Sequence, residues 1–179
     1  MNSTLTFRSA TIADVEAVVV LIESAYRGEG SRAGWTTEAD LLDGQRTNID
    51  EVSTIISGSH SRIRLALRSG ELVGCVRVDD ARDAGYIGMV TVSPTLQSAG
   101  IGRQLLIEAE RVVRDELQLT SARMTVIGQR DTLIAWYERQ GYCCSGKRLP
   151  FPYDNPRAGI PRRTDLYFEV LVKKLVRLD

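Results

Sequence analysis

The run "VTVSPTLQSAGIGRQLL", residues 90–106, decides how this chain is read. Val90 and Val92 alternate as in a strand, and Pro94 stops it, because proline brings no N–H to a ladder. Gly100 and Gly102 follow one residue apart. Ile101, Leu105, Val112 and Val113 then give a helical pattern from about Gly100 to Glu116. Small residues ahead of a helix serve one of two ends. They make a tight turn, or they bring the unpaired N–H groups at a helix start close to an anion with no Cβ in the way. In the second case Gln97, Gly100 and Gly102 suit a pyrophosphate, and Arg103 adds a cation at the same end.

Two named phosphate motifs do not fit. A P-loop needs Lys-Ser/Thr after its second glycine, and Arg103-Gln104 stands here. A dinucleotide fingerprint needs its strand directly before the first glycine and an acid closing the next strand. Here Gly100 lies six residues beyond Pro94, and the next strand-like run, "ARMTVI" (residues 122–127), ends without an acid.

Outward from this run the elements alternate. "TLTFRSA" (4–10) reads as a first strand, and Thr11 offers an N-cap to a helix carrying Ile12, Val15, Val18, Val19 and Ile22. Gly28 and Gly30 break that helix near "YRGEG". "SRAGWTTEADLLDG" (31–44) reads as a loop and a short helix capped by Thr36 or Thr37, and "NIDEVSTIIS" (48–57) as a second short helix. Residues 62–80 carry a hairpin signature with a Ser69-Gly70 turn, and "GYIGMVTVSP" (85–94) is the strand that leads into the glycines. Beyond "ARMTVI", "RDTLIAWYERQG" (130–141) is a helix with Gly141 in the C′ position. "YCCSGKR" and "DLYFEVLVKKL" are two closing strands around an irregular loop holding four of the five prolines. Hairpin-linked and helix-linked strands together predict one mixed sheet with helices on its faces, in a single domain over residues 1–179.

Composition narrows the function classes. With 179 residues, 43% apolar and 26% charged, the chain is that of an ordinary soluble domain. Equal acidic and basic totals of 23 give no support to nucleic-acid binding. Runs such as "AVVVLI" are too short to span a bilayer, and "MNSTLTFRSA" lacks the basic start and apolar stretch of a secretory signal. Three cysteines without a spaced framework point to a reducing cytoplasm, and a single histidine, His60, gives poor support to a metal site.

Set together, the glycine run and "LIAWYERQGY" (133–142) resemble the GNAT superfamily of acyl-CoA-dependent N-acetyltransferases. The family signature is a strand ending V-x-P, then Q/R-x-x-G-x-G/A opening a helix. Val90 to Val92, Pro94, Gln97, Gly100 and Gly102 match it. The second block, a short helix with Tyr followed by Gly-aromatic, is met by Tyr137, Gly141 and Tyr142, and the element order is that of the family over nearly the whole chain.

The resemblance implies an α/β fold with a mostly antiparallel sheet of about seven strands, splayed between "GYIGMVTVS" and "ARMTVI". It implies acetyl-CoA as co-substrate, with pantetheine along Val90, Thr91 and Val92, and pyrophosphate on the amides of Ser98, Ala99, Gly100, Ile101, Gly102 and Arg103. A backbone N–H near Val90 would meet the acetyl oxygen, and Tyr137 would protonate the leaving thiolate, unless it is only a core aromatic. Arg130 stands where relatives carry an Asn that contacts the cofactor; it reaches a phosphate or is solvated. Thr125 occupies the place of a glutamate base found in many peptide N-terminal acetylases, so the proton leaves through water or through another carboxylate, with Glu38 and Glu23 the first candidates. Trp35 is a platform for the acceptor or an anchor for its own loop, and Glu38 or Asp40 pairs with an ammonium or sits in a helix's first turn. Arg157, Arg162 and Arg163 face an acidic acceptor or solvent. The expected partners are acetyl-CoA and a small amine or peptide, with no nucleic acid, membrane or metal, and with room for a homodimer. The competing class is a non-catalytic acyl-CoA-binding module.

Overall fold

The computed structural model describes residues 4–176; the first three residues of the N-terminal run read above lie outside it. Strands β1 (Leu5–Ser9), β3 (Ser61–Arg68), β4 (Glu71–Asp80), β5 (Gly85–Val92), β6 (Ser121–Ile127), β7 (Cys143–Pro150) and β9 (Tyr167–Lys174) form one seven-stranded sheet in the order β1-β3-β4-β5-β6-β9-β7. Every pairing in it is antiparallel except β5 with β6. This is the mixed sheet the sequence predicts. A two-stranded ladder that the sequence does not announce joins β2 (Leu42–Asp43) to β8 (Ile160–Pro161). Two residues are too few to show a period.

Helices cover both faces. α1 (Val15–Tyr26) and α2 (Ile49–Ser57) bury Val18, Ile22, Val52 and Ile55 against Ile63, Leu65 and Met89 on one side. On the other, α3 (Ile101–Arg111) and α4 (Asp131–Arg139) pack Leu105, Leu106, Ala109 and Tyr137 onto Val76, Val78, Met124 and Leu171. Asn48 caps α2 by accepting from the Glu51 N–H at 2.8 Å. The α3 pattern ends as one wider π-turn over Val112–Glu116, which keeps both Val112 and Val113 buried. Gly141, with φ +92, supplies the left-handed residue after α4.

One expected element is absent. No helix follows Thr36 or Thr37; residues 34–41 run as turns into β2. Thr37 Oγ1 accepts from the Ala39 N–H at 3.1 Å, a local bond that competes with a helix. Tertiary contacts complete the override, because Glu38, the intended first-turn residue, is drawn inward between arginines.

The sheet splays between β5 and β6. They pair only at Gly85–Ala122 and Tyr86–Arg123 and then separate. At the closed end Gly85 has no side chain, so Val113 packs directly over it. Beyond it Met89 takes a φ of +50 and the β4 register shifts, placing Gly88 opposite Arg77 but Thr91 opposite Cys75. That bulge bends β5 away from its parallel neighbour. Met89 and Val90 are left with no partner on β4, and beyond Tyr86 none of β5 has a partner on β6.

Candidate active site

The turn before α3 presents unpaired donors. Ser98 and Gly100 adopt left-handed backbone, with φ of +71 and +79. The amides of Ser98, Gly100, Ile101, Gly102 and Arg103 make no hydrogen bond among the described residues, whereas the Ala99 N–H returns to the Leu96 carbonyl at 3.4 Å. A left-handed turn running into a helix start gathers such N–H groups into an anion-binding concavity. Ile101, fully buried, anchors this helix end in the core, and a Cβ on Gly100 would meet nothing within 4 Å. The geometry fits a diphosphate.

Gln97 lines the cavity on this glycine side and also holds a loop. Its Oε1 accepts from the Trp35 and Thr36 N–H groups at 2.9 and 3.2 Å, and its Nε2 donates to Thr36 Oγ1 at 2.8 Å and to the Val92 carbonyl at 3.3 Å. It staples the loop of residues 34–36 to the end of β5. A Cβ on Gly34 would stand 2.5 Å from that amide, so only glycine allows the approach.

Two cavities flank the splayed strands. One, about 460 Å³, is lined by Gly100, Gly102, Arg103, Trp35, Trp136 and Val92. The other, about 230 Å³, lies under the proline-rich loop and is lined by Arg46, Tyr86, Thr125, Phe151 and Arg157 among others. Tyr26, Val90, Arg130, Leu133 and Tyr137 belong to both walls, so the cavities meet there. Trp35 therefore stands on the glycine side, edge-on to Trp136 with ring centroids 6.1 Å apart, and not in the second cavity.

Tyr137 is buried, stacked edge-on with Trp136 and Tyr142 at 5.0 and 6.0 Å. Its hydroxyl has no hydrogen-bond partner among the described residues, and the residue lines both cavities where they meet. Burial, with the neighbouring Tyr26 as the next contributor, pushes its ionisation far above the ordinary phenol range. It is a phenol that keeps its proton. Tyr26, the first residue of the stretch 26–46 that the family resemblance suggests for the acceptor pocket, donates its hydroxyl to the Val90 carbonyl at 2.8 Å and fixes the strand at the bulge. Thr125 lies across the splay from Tyr86, their hydroxyls 3.1 Å apart.

Glu38 is held between two guanidinium groups. It pairs with Arg27, and with Arg130 at 2.9 Å, its side chain only 7% exposed. Burial alone would raise its pKa; the charges of Arg130, Arg27 and Arg46 outweigh that and hold the carboxyl below its usual range. Such an anion is a poor proton acceptor. Arg130 also donates to the Thr36 carbonyl, so its guanidinium is committed to the loop. Glu23 accepts from the backbone N–H groups of Arg46 and Thr47 at 2.6 and 2.8 Å and lines neither cavity. Asp40 pairs with Arg32, Arg162 with Asp43 and Arg163 with Asp165; of the loop arginines Arg157, Arg162 and Arg163, only Arg157 lines either of the two cavities at the splay.

Removing Glu38 leaves two buried cations without an anion, so Glu38→Ala is expected to lower the unfolding free energy by about 3–5 kcal/mol. A fall in the denaturant midpoint reads this. Because pairing depresses the folded pKa, the wild-type stabilisation is fully present above the ordinary glutamate value of about 4.3 and is lost as pH falls through the lower folded value. Glu38→Ala should lack that acid limb.

Among the described residues no group of three or more His, Cys, Asp or Glu side chains forms a metal site, and no helix is long and apolar enough to cross a membrane.

Comparison with known proteins agrees with this geometry. The sequence profile of the Acetyltransferase (GNAT) family matches residues 19–142, and the chain belongs to that family. It is therefore an N-acetyltransferase, from a family that uses acetyl-CoA as co-substrate. The fold is similar to that of the ribosomal-protein-S18-alanine N-acetyltransferase of Escherichia coli, at 13% identity and TM-score 0.71, covering 98% of this chain and 97% of that one. A mutant of the spermidine N-acetyltransferase of Vibrio cholerae superposes with TM-score 0.69 at 14% identity, covering 95% of this chain and 93% of that one. A protein described as a putative phosphinothricin N-acetyltransferase gives TM-score 0.69 at 17% identity, over 97% of this chain and 100% of that one. No curated protein matches by sequence.

Proposed function

We propose that the chain acts as a single domain that transfers an acetyl group from acetyl-CoA to a primary amine by direct attack in a ternary complex. The observation that carries this is the meeting of the two cavities at Val90 and Tyr137. A thioester aimed from the glycine side and an amine from the other side would be brought together at that point. The amides of Ser98, Gly100, Ile101, Gly102 and Arg103 bind the diphosphate, and Val90 to Val92 guide the pantetheine. The Val90 N–H, at the bulge where Val90 has no register partner on β4, donates to the acetyl oxygen as it gains charge. Tyr137 gives its proton to the departing thiolate, and a proton donor of this kind contributes about 10²–10⁴-fold.

Among the described residues no free carboxylate stands at the junction, since Glu38 is neutralised and Glu23 is engaged elsewhere. The amine proton therefore leaves through water held by the Tyr86 and Thr125 hydroxyls. Cys75 offers no covalent alternative: it is buried, and burial pushes its thiol up to about 12. The exposed thiols of Cys143 and Cys144 support a reducing, cytoplasmic setting.

The similar structures are described as acting on spermidine, a ribosomal-protein alanine and phosphinothricin, so fold alone does not choose the acceptor. The test is thiol release from acetyl-CoA across a panel of primary amines, with product identified by mass. For a productive amine, kcat/KM is expected to rise with pH at unit slope up to the pKa of that amine, with no inflection from a protein carboxylate between about pH 5 and 7. Binding of CoA without product from any amine would refute the transfer reading.

A further inference from the structure

The second cavity has a charge of its own. Arg27, Arg46, Arg130 and Arg157 line it, and among the described residues Glu38 is its only carboxylate. Glu38 is consumed by Arg27 and Arg130. Even there the match is incomplete, for Arg27 Nε is buried with no hydrogen-bond partner. The guanidinium of Arg46 makes no hydrogen bond or ion pair among the described residues and is held only against the Tyr26 ring, 5.4 Å from its centroid. Arg157 likewise has no anion beside its guanidinium among those residues, unlike its neighbours Arg162 and Arg163. Cationic groups gathered in a cleft and left unpaired cost free energy that a bound anion recovers.

Position fixes which end of a ligand goes where. The Tyr26 hydroxyl sits on the Val90 carbonyl, while the face of the same ring carries Arg46. One tyrosine ring thus separates the acetyl-transfer point from an unpaired guanidinium, and a cavity of about 230 Å³ accommodates a molecule of amino-acid size. We propose that the acceptor is a small primary amine bearing its own anionic group, a carboxylate or phosphonate, with the anion on Arg46 and Arg157 and the amine at Val90 and Tyr137. A polycation finds no free carboxylate among the described residues of these walls and meets like charge there. This rests on the acetyl-transfer reading.

The experiment compares matched acceptors: glycine with glycinamide, 4-aminobutyrate with 4-aminobutanamide, 2-aminoethylphosphonate with ethanolamine, and spermidine. Thiol release from acetyl-CoA gives turnover, and calorimetry with CoA-saturated protein gives binding. At least one acid should exceed its uncharged partner tenfold or more in kcat/KM. Arg46→Gln and Arg157→Gln should each reduce that preference, mainly by raising KM for the acid. Neither guanidinium holds an ion pair among the described residues, so these variants are expected to fold. Equal or better turnover of the uncharged amines or of spermidine would overturn the acceptor class while leaving acetyl transfer intact. Acids that bind in an Arg46-dependent way with no thiol release from any amine would uphold the anion site and refute acetyl transfer instead. If no acid binds and none reacts, the proposal falls.

Discussion

Tyr137→Phe is expected to lower kcat by 100- to 1,000-fold while leaving the Kd for CoA within about twofold, because only the proton donated to the thiolate is lost. The substitution is structurally mild. The ring keeps its edge-on contacts with Trp136 and Tyr142, and the hydroxyl has no protein partner to abandon. Stopped turnover with CoA binding measured by calorimetry separates chemistry from affinity. A variant that kept wild-type kcat would show Tyr137 to be a core aromatic and move the proton donor elsewhere. The loss should persist at high pH, since burial keeps the wild-type phenol protonated well above the physiological range.

Gly102→Asp is expected to weaken CoA binding at least 100-fold without unfolding the protein. Gly102 has an ordinary helical φ, and a Cβ there would touch Trp136 at 3.5 Å and Val92 at 3.8 Å, normal contact distances. A carboxylate in the first turn of α3 is favourable to the helix itself, through the same unpaired amides that would hold the diphosphate. The introduced charge fills the anion site from within and repels the phosphate. Thermal unfolding near the wild-type midpoint, with the calorimetric signal for CoA lost, is the predicted pair of results. Wild-type affinity would remove the glycine turn from the binding site.

Much of this was legible before folding. The V-x-P strand end, the spaced glycines and the Tyr–Gly–Tyr block are local, and each has a local cause. Pro94 cannot continue a ladder, Gly100 takes φ +79 and Gly141 takes φ +92. The helical and alternating periods of α1, α3, β3 and β5 follow from which face each buries, which is why the element order is legible in the sequence; the splay between β5 and β6 was implied only by the family resemblance. The expected helix after Thr36 failed because propensity there is weak and its residues are claimed from afar.

What folding alone decided is which charges and amides meet. Glu38 lies 92 positions from Arg130, and Gln97 lies 61 from Thr36, separations over which no sequence period operates. Once these contacts form, a residue that looks like a base becomes a structural anion, and Gln97, which lines the glycine-side cavity, is also a loop staple. Arg46, read from the sequence only as the end of a pocket-forming stretch, becomes a cation facing a cavity with no ion pair among the described residues. Local sequence set the backbone proposed to hold a diphosphate, because that depends on φ angles and an open helix start. Tertiary structure set the polarity of the acceptor cavity, because the worth of a buried charge depends on its neighbours in space.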